Sequence, residues 1–341
     1  MGHKNVSSPG MTLAAPILFQ EIPLAAVDLK DHTFVVPDGS DLTRLLASMG
    51  EVGLLAPPWL RARADGRWQV VAGLKRLKAA AQLGKKDKKS WERLPARTLP
   101  ASTPESHCLL VGLYDNAFTR GFNLWEQATL ARRLLDHWDR ATVAGKFLPY
   151  LGLPASKAPL ERLLQVSALE PPFQELCARG RLTLTAAASL SQWAWADRGE
   201  ALPFFAGLPF SQSKQEQFLE DVELLARREN TSPGVILSRK QLRQHLEDPA
   251  LTPLERAEAV RRLMRGWVNP RLHAALTAFQ QALGRLGLKG HPRVCLQPPP
   301  VFEGPDFHLE IKFRDPPELQ GLLAEIARLS ARQEFSDLTR L

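Results

Sequence analysis

The chain has 341 residues, enough for two or three compact domains, and 44% of them are hydrophobic, which excludes a wholly disordered polypeptide. Lys and Arg outnumber Asp and Glu by 44 to 36, and the resulting net charge of +8 favours nucleic acid or another polyanion as partner. Cys108, Cys177 and Cys295 lie far apart, which excludes a Cys-x-x-Cys zinc or disulfide framework, and no apolar run reaches the roughly 20 residues of a membrane span.

Residues 1–16 are small and polar and read as a flexible arm. The opening "MGHKNVSSPG" has no apolar core behind its charges, so no signal peptide is expected and the chain reads as cytoplasmic. "ILFQEIPLAAVDL" predicts a strand or extended entry. "DLTRLLASMGEVGLL" spaces Leu42, Leu45, Leu46 and Met49 as a helix, capped by Ser40 or Asp41 and stopped by Pro57 and Pro58. "WLRARADGRWQVVAG" predicts a hairpin, two apolar-rich arms around the favoured turn pair Asp65-Gly66. Its second arm runs through Gly73 into the helix "LKRLKAAAQLG". A basic loop, a short strand and a helix near Glu105 to Tyr114 complete a small mixed α/β domain over 17–121.

That glycine junction raises a question of charge. Lys75, Arg76 and Lys78 stand in the first turns of a helix, where the macrodipole already places positive charge. A phosphate on the free N–H groups of the helix end would turn these cations into counter-ions. A solvated basic helix end is the plainer alternative. The basic run continues through Lys85, Lys86, Lys88, Lys89, Arg93 and Arg97 against only Asp87 and Glu92, which favours a polyanion.

From Asn123 strand signals disappear. "NLWEQATLARRLLDHW" lines Trp125, Ala128, Ala131, Leu134, Leu135 and Trp138 on one helical face. "TVAGKFLPYLGLPASKAPLERLLQVSAL" predicts two short helices around Gly152-Leu153-Pro154, the outline of a helix-turn-helix. Pro149 shortens the first helix, Ser156 caps the second, and Pro159 falls in the second's first turn. Lys157, Glu161, Arg162 and Gln165 are the outward polar positions of the second helix, suited to phosphates and base edges; a packed helical hairpin that binds nothing is the alternative. Trp193 and Trp195 are expected in a packed helix. His107 beside Cys108 and His137 near Asp139 lack the further ligands of a metal or catalytic site and read as structural. A helical DNA-binding region over 122–210 and a helical connector over 211–268 follow. The tail, 269–341, is an α+β module: "HPRVCLQPPP" and "DFHLEIKFRD" are strands, the latter with Phe307, Leu309, Ile311 and Phe313 on one face. "PELQGLLAEIARLSARQ" is an amphipathic helix through Leu319, Leu322, Leu323, Ile326 and Leu329.

"GLLAPPWLRARADGRWQVVAGLKRLKAAAQLG" resembles the N-terminal domain of ParB-like proteins, which runs Gly-Leu-Leu-x-Pro, strand, turn and strand into Gly-x-Arg-Arg-x-x-Ala-Ala. "YDNAFTRGFNLWEQA" resembles that family's Glu-Asn-x-x-Arg segment followed by Asn-x-x-Glu-x-Ala, and the helix-turn-helix comes where the family places its DNA-binding helices. The resemblance covers about residues 17–200 and implies an α+β fold. Its parts are a ParB/sulfiredoxin-like N-terminal domain, an all-α helix-turn-helix region and a small C-terminal module. It further implies binding of double-stranded DNA and switching by CTP with Mg2+, in partition or transcriptional regulation. By position, Gly73, Lys75, Arg76 and Lys78 would surround phosphates, with Asn116 and Arg120 contributing; Asp115 and Asn116 would hold the metal; Gly53, Leu54 and Leu55 would line the base. Lys157, Arg162 and Gln165 would contact DNA. A ParA-like ATPase partner, a homodimer and nucleoid association belong to the same picture, as does weak CTP turnover.

The sequence departs from that pattern at Leu74 (usually Glu), Lys75 (usually Arg), Asp115 (usually Glu) and in a gap to Arg120 one residue longer. The alternative on the same scaffold is a magnesium-dependent nuclease or another nucleotide-using enzyme, which would want clustered carboxylates; Asp115 with Glu126 is the nearest approach. A nucleotide-free adaptor is a third reading.

Overall fold

A computed structural model describes residues 17–36, 41–304 and 306–338; the expected arm at 1–16 and the Ser40 cap lie outside the described residues. The chain divides into two compact units between Ala194 and Trp195. The boundaries expected at 121 and 210 each fall inside one unit.

The first unit opens with β1 (Leu18–Pro23), a 3-10 turn and β2 (Val27–Asp28), then α1 (Thr43–Val52), the hairpin β3 (Trp59–Ala62) and β4 (Trp68–Ala72), and α2 (Leu74–Leu83). After these come the single-turn α3 (Lys88–Trp91), β5 (Arg93–Leu99) and α4 (Glu105–Ala117). The sheet order is β1-β5-β3-β4-β2, with β3–β4 and β1–β5 antiparallel and β3–β5 parallel. The hairpin turns at Asp65-Gly66: Gly66 has φ +78°, and the Asp65 carboxylate accepts the Arg67 N–H at 3.0 Å.

The two-residue period of the strands separates two cores. Ile22, Leu60, Val70, Leu94 and Ala96 pack with Met49, Leu74 and Leu77 of α1 and α2. Val71, Leu99 and Trp59 lie on the other face with Phe34 and with Cys108 and Leu109 of α4. Register then brings three more side chains together on that second face. Trp59 pairs with Arg97, and Arg97 with Phe19, so neighbouring strands set Phe19, Arg97 and Trp59 side by side at one end of the sheet.

The helical part of this unit begins with α5 (Leu124–Leu134), whose stripe Ala128, Ala131 and Leu134 is buried and which packs on α7 (below). Past the single turn α6 (Arg140–Thr142) the expected first helix of the pair winds irregularly, as a π turn over Val143–Phe147 and a 3-10 turn over Leu148–Leu151. Pro149 has no N–H to give an α-helical bond, and its ring crowds the carbonyl four residues back, which accounts for the change of pitch. Then come α7 (Lys157–Ser167), α8 (Pro171–Ala178) and α9 (Leu184–Ser191). Ser156 stands at the start of α7, but its side chain makes no capping bond, contrary to expectation. Trp193 is buried, as expected for core packing.

The second unit is α10 (Trp195–Gly207), α11 (Gln212–Arg228), α12 (Pro233–Leu237), α13 (Lys240–Glu247), α14 (Pro253–Val268) and α15 (Pro270–Arg285). The antiparallel pair β6 (Val294–Gln297) and β7 (His308–Ile311), α16 (Pro316–Ser330) and α17 (Gln333–Leu338) complete it. Three expectations are corrected here. Trp195 is 73% exposed rather than packed; Leu309 and Phe313 of the alternating strand are exposed, and so is Leu323. Among the described residues the sheet has two strands, and its core is made by Phe279, Leu283, Val294, Leu296, Leu322 and Leu329, with Phe307 and Ile311 at the margin. No described helix is long and apolar enough to cross a membrane.

Candidate functional site

The junction between β4 and α2 is made by Gly73, at φ +91° and ψ +23°, a conformation that costs an L-residue about 1–2 kcal/mol. A Cβ there would lie 3.0 Å from both Arg76 Nη2 and Pro58 Cβ. The absence of a side chain therefore serves two ends: it turns the chain into the helix and leaves room for a guanidinium folded back over the junction. Arg76 Nη1 donates to the carbonyl of Ala56 at 2.6 Å, and Nη2 lies 3.5 Å from Asp115 Oδ2.

Asp115, near the C-terminal end of α4, is the centre of this cluster. Its Oδ1 accepts the Trp59 indole N–H at 3.1 Å and lies 3.8 Å from Arg97 Nη1. The Arg97 guanidinium sits 5.3 Å from the Trp59 ring and 5.8 Å from the Phe19 ring, and its Nε is buried with no hydrogen-bond partner. Burial presses the Arg76 pKa down, Asp115 opposes this, and the neighbouring Arg97 adds to it. The Arg76 guanidinium stays charged at any working pH. Two cations thus face one carboxylate, with Lys75 and Lys78 half-buried on α2.

Asn116 and Arg120 are brought to a different task. Asn116 Nδ2 donates to the Gly112 carbonyl at 2.7 Å, and its Oδ1 accepts Arg120 Nε at 3.0 Å. Arg120 forks onto Glu126, Nη1 to Oε2 at 2.8 Å and Nη2 to Oε1 at 2.6 Å. Glu126, 2% exposed, closes a capping box with Asn123 at the start of α5. The end of α4 is so tied to the start of α5. Gly53 ends α1 at φ +76°, Leu54 packs against the first core, and Leu55 is 78% exposed.

The donor set at Gly73, Arg76 and Arg97 suits phosphate oxygens, which N–H groups and guanidiniums bind well. It does not suit a divalent cation. Both oxygens of Asp115, expected as a metal ligand, face N–H groups, and both polar atoms of Asn116, its expected companion, are hydrogen-bonded within the chain. Among the described residues no three His, Cys, Asp or Glu side chains gather as a metal site. His137 stacks edge-on with Trp138, Asp139 caps α6, and Cys108 is buried, its thiol pushed up to about 11 by desolvation.

Sequence alone shows Arg97 as one of a basic run and does not bring out Trp59 or Phe19 as site residues. The signal that finds them is the parity of three strands taken together, which requires the pairing register.

The second candidate surface is the helix pair. Gly152 at φ +80° makes the turn. On α7, Leu160, Leu163 and Val166 are buried while Lys157, Glu161 and Arg162 are exposed and Gln165 is half-buried. Arg140 forms an ion pair with Glu161, so a third cation borders this face.

No family model and no curated protein matches the sequence. Among solved structures the chain is similar to the C-terminally truncated chromosome-partitioning protein ParB from Caulobacter crescentus complexed to the centromeric parS site, at 19% identity over 59% of this chain and 98% of that one, TM-score 0.34. It is also similar to ParB from that organism complexed with CTP-gamma-S, at 22% identity over 55% and 98% of the two chains, TM-score 0.25. A Pnob8-like ParB-N domain is similar at 14% identity over 76% and 100%, TM-score 0.32.

Proposed function

We propose that this chain is a ParB-like DNA-binding protein that holds duplex DNA on α7 and the phosphates of a nucleotide, CTP by the sequence resemblance, at the Gly73 junction. The observation that carries the reading is α7: a left-handed glycine turn delivers a helix whose apolar side is fully packed and whose outer side offers Lys157 and Arg162. Such a helix can enter a major groove with Gln165 at its margin. The guanidiniums of Arg76 and Arg97, with the N–H groups that begin α2, are the phosphate donors. Lys75 and Lys78 add charge to the same helix. A triphosphate there would give the chain a ligand-dependent state within the unit that carries α7. A homodimer and a ParA-like ATPase partner complete a partition role; regulation of transcription needs only the DNA contact.

Fluorescence anisotropy with duplex DNA tests the reading. Genomic fragments selected by co-purification should bind, with affinity falling steeply as salt rises. Lys157→Ala and Arg162→Ala should each weaken binding and flatten the salt slope by about one unit. Duplex binding unaffected by both substitutions would refute it.

A further inference from the structure

We infer that Asp115 is a built-in competitor for the anion and Arg97 a further phosphate-binding side chain: an incoming triphosphate displaces the Asp115 carboxylate from between Arg76 and Arg97, with no divalent cation bound through it. This rests on the reading of the Gly73 junction as a phosphate site.

The geometry of the carboxylate is the first argument. The Trp59 N–H reaches Asp115 at hydrogen-bond length, whereas the Arg76 and Arg97 contacts are 3.5 and 3.8 Å. Tight charge-assisted pairs close to about 2.7–2.9 Å. Asp115 therefore spans two cations without closing on either. Such a position favours a larger anion that carries more charge and more acceptor oxygens.

Arg97 is the second argument. Its Nε is buried and unpartnered, and its one carboxylate contact is long. A buried guanidinium donor without an acceptor is costly, so the residue retains donor capacity that a phosphate oxygen would satisfy. The rings of Trp59 and Phe19 hold the guanidinium plane in place. Both arginine side chains keep some solvent access, 22% for Arg76 and 33% for Arg97, so the pair is within reach of solute.

Charge is the third. A divalent cation at Asp115 would sit beside two guanidiniums whose charge opposes it. A phosphate arriving at the same place meets favourable charge and inherits the Trp59 indole donor.

The test titrates the full chain with inorganic tripolyphosphate by calorimetry in excess EDTA. Asp115→Asn, which removes the competing charge and keeps the shape, should bind about tenfold more tightly than wild type, the size expected for deleting one like charge a few ångströms away in a partly screened site. Arg97→Gln should bind about tenfold more weakly. The Trp59 indole N–H resonance, identified by its absence in Trp59→Phe, should move when wild type binds the anion. If Asp115→Asn binds more weakly than wild type, or if wild type binds only when Mg2+ is supplied, the inference is overturned and the phosphate site stands. If neither wild type nor Asp115→Asn binds, the phosphate site falls and the inference with it. Should Asp115→Asn fail to fold, Arg97→Gln and the indole resonance decide: unchanged affinity and an unmoved resonance refute the displacement.

Discussion

Glu126→Gln separates a structural from a ligand-binding role for Arg120. The carboxylate is 2% exposed and takes two Arg120 N–H groups at 2.8 and 2.6 Å and the Asn123 N–H at 3.0 Å. Glutamine keeps one acceptor oxygen, enough for the Asn123 cap and one guanidinium N–H. Its NH2 then faces the other guanidinium N–H, donor against donor. The loss is one charge-assisted hydrogen bond plus an unsatisfied buried donor, about 2–3 kcal/mol. Water relieves part of the second term, because the Arg120 side chain is 38% exposed. For a unit of this size that is a fall in melting temperature of about 4–12 °C by calorimetry. Glu175→Gln is the internal control: its partner Arg179 and Glu175 itself are 68% and 61% exposed, so about 1 °C or less is expected. Equal melting temperatures for Glu126→Gln and Glu175→Gln would refute the idea that Arg120 is committed to the α4–α5 tie.

Gly73→Ala should cost about 2 kcal/mol from the positive φ and the displaced Arg76, and should weaken tripolyphosphate binding; a urea midpoint equal to wild type would count against the junction as described. Thiol labelling of the native chain at pH 8 should modify exposed Cys295 rapidly and leave Cys108 and Cys177 slow, since burial pushes their thiols up to about 11 and about 12; rapid labelling of all three would contradict the packing. Burial, aided by Glu220, raises the Asp221 pKa against the lowering effect of Gln217, Arg265 and Arg261. The folded unit therefore holds this proton more tightly than the unfolded chain, and stability falls as pH rises from the ordinary carboxylate range through the folded value. Asp221→Asn, which keeps an acceptor for Gln217, should be more stable than wild type at pH 7, with the difference closing at about pH 3.5; a loss of stability at pH 7 would reverse the sign.

Periodicity and turn chemistry alone placed the hairpin, the helices that flank it and α7, while the helices between α7 and β6 were legible only as a helical stretch. The alternation through Trp59–Ala72 around Asp65-Gly66 specified the hairpin, because a two-residue period and a glycine turn leave few other structures. The stripe of Ala128, Ala131 and Leu134 and the break at Gly152 likewise specified the helices that follow. What these patterns could not reach was decided by contacts between residues far apart in sequence. Side-chain parity within one strand says which residues share a face; only the pairing of β1, β5 and β3 puts Phe19, Arg97 and Trp59 together. Nor could local pattern tell whether Arg120 reaches a ligand or Glu126, since both are within its span and the choice depends on how α4 meets α5. The exposure of Leu309, Phe313 and Leu323 belongs to the same class: an apolar stripe predicts a face to be covered, and only the layers actually present settle how much of it is. The cations of the Gly73 junction were legible from the start. That a carboxylate from α4 already stands among them was a matter of tertiary structure.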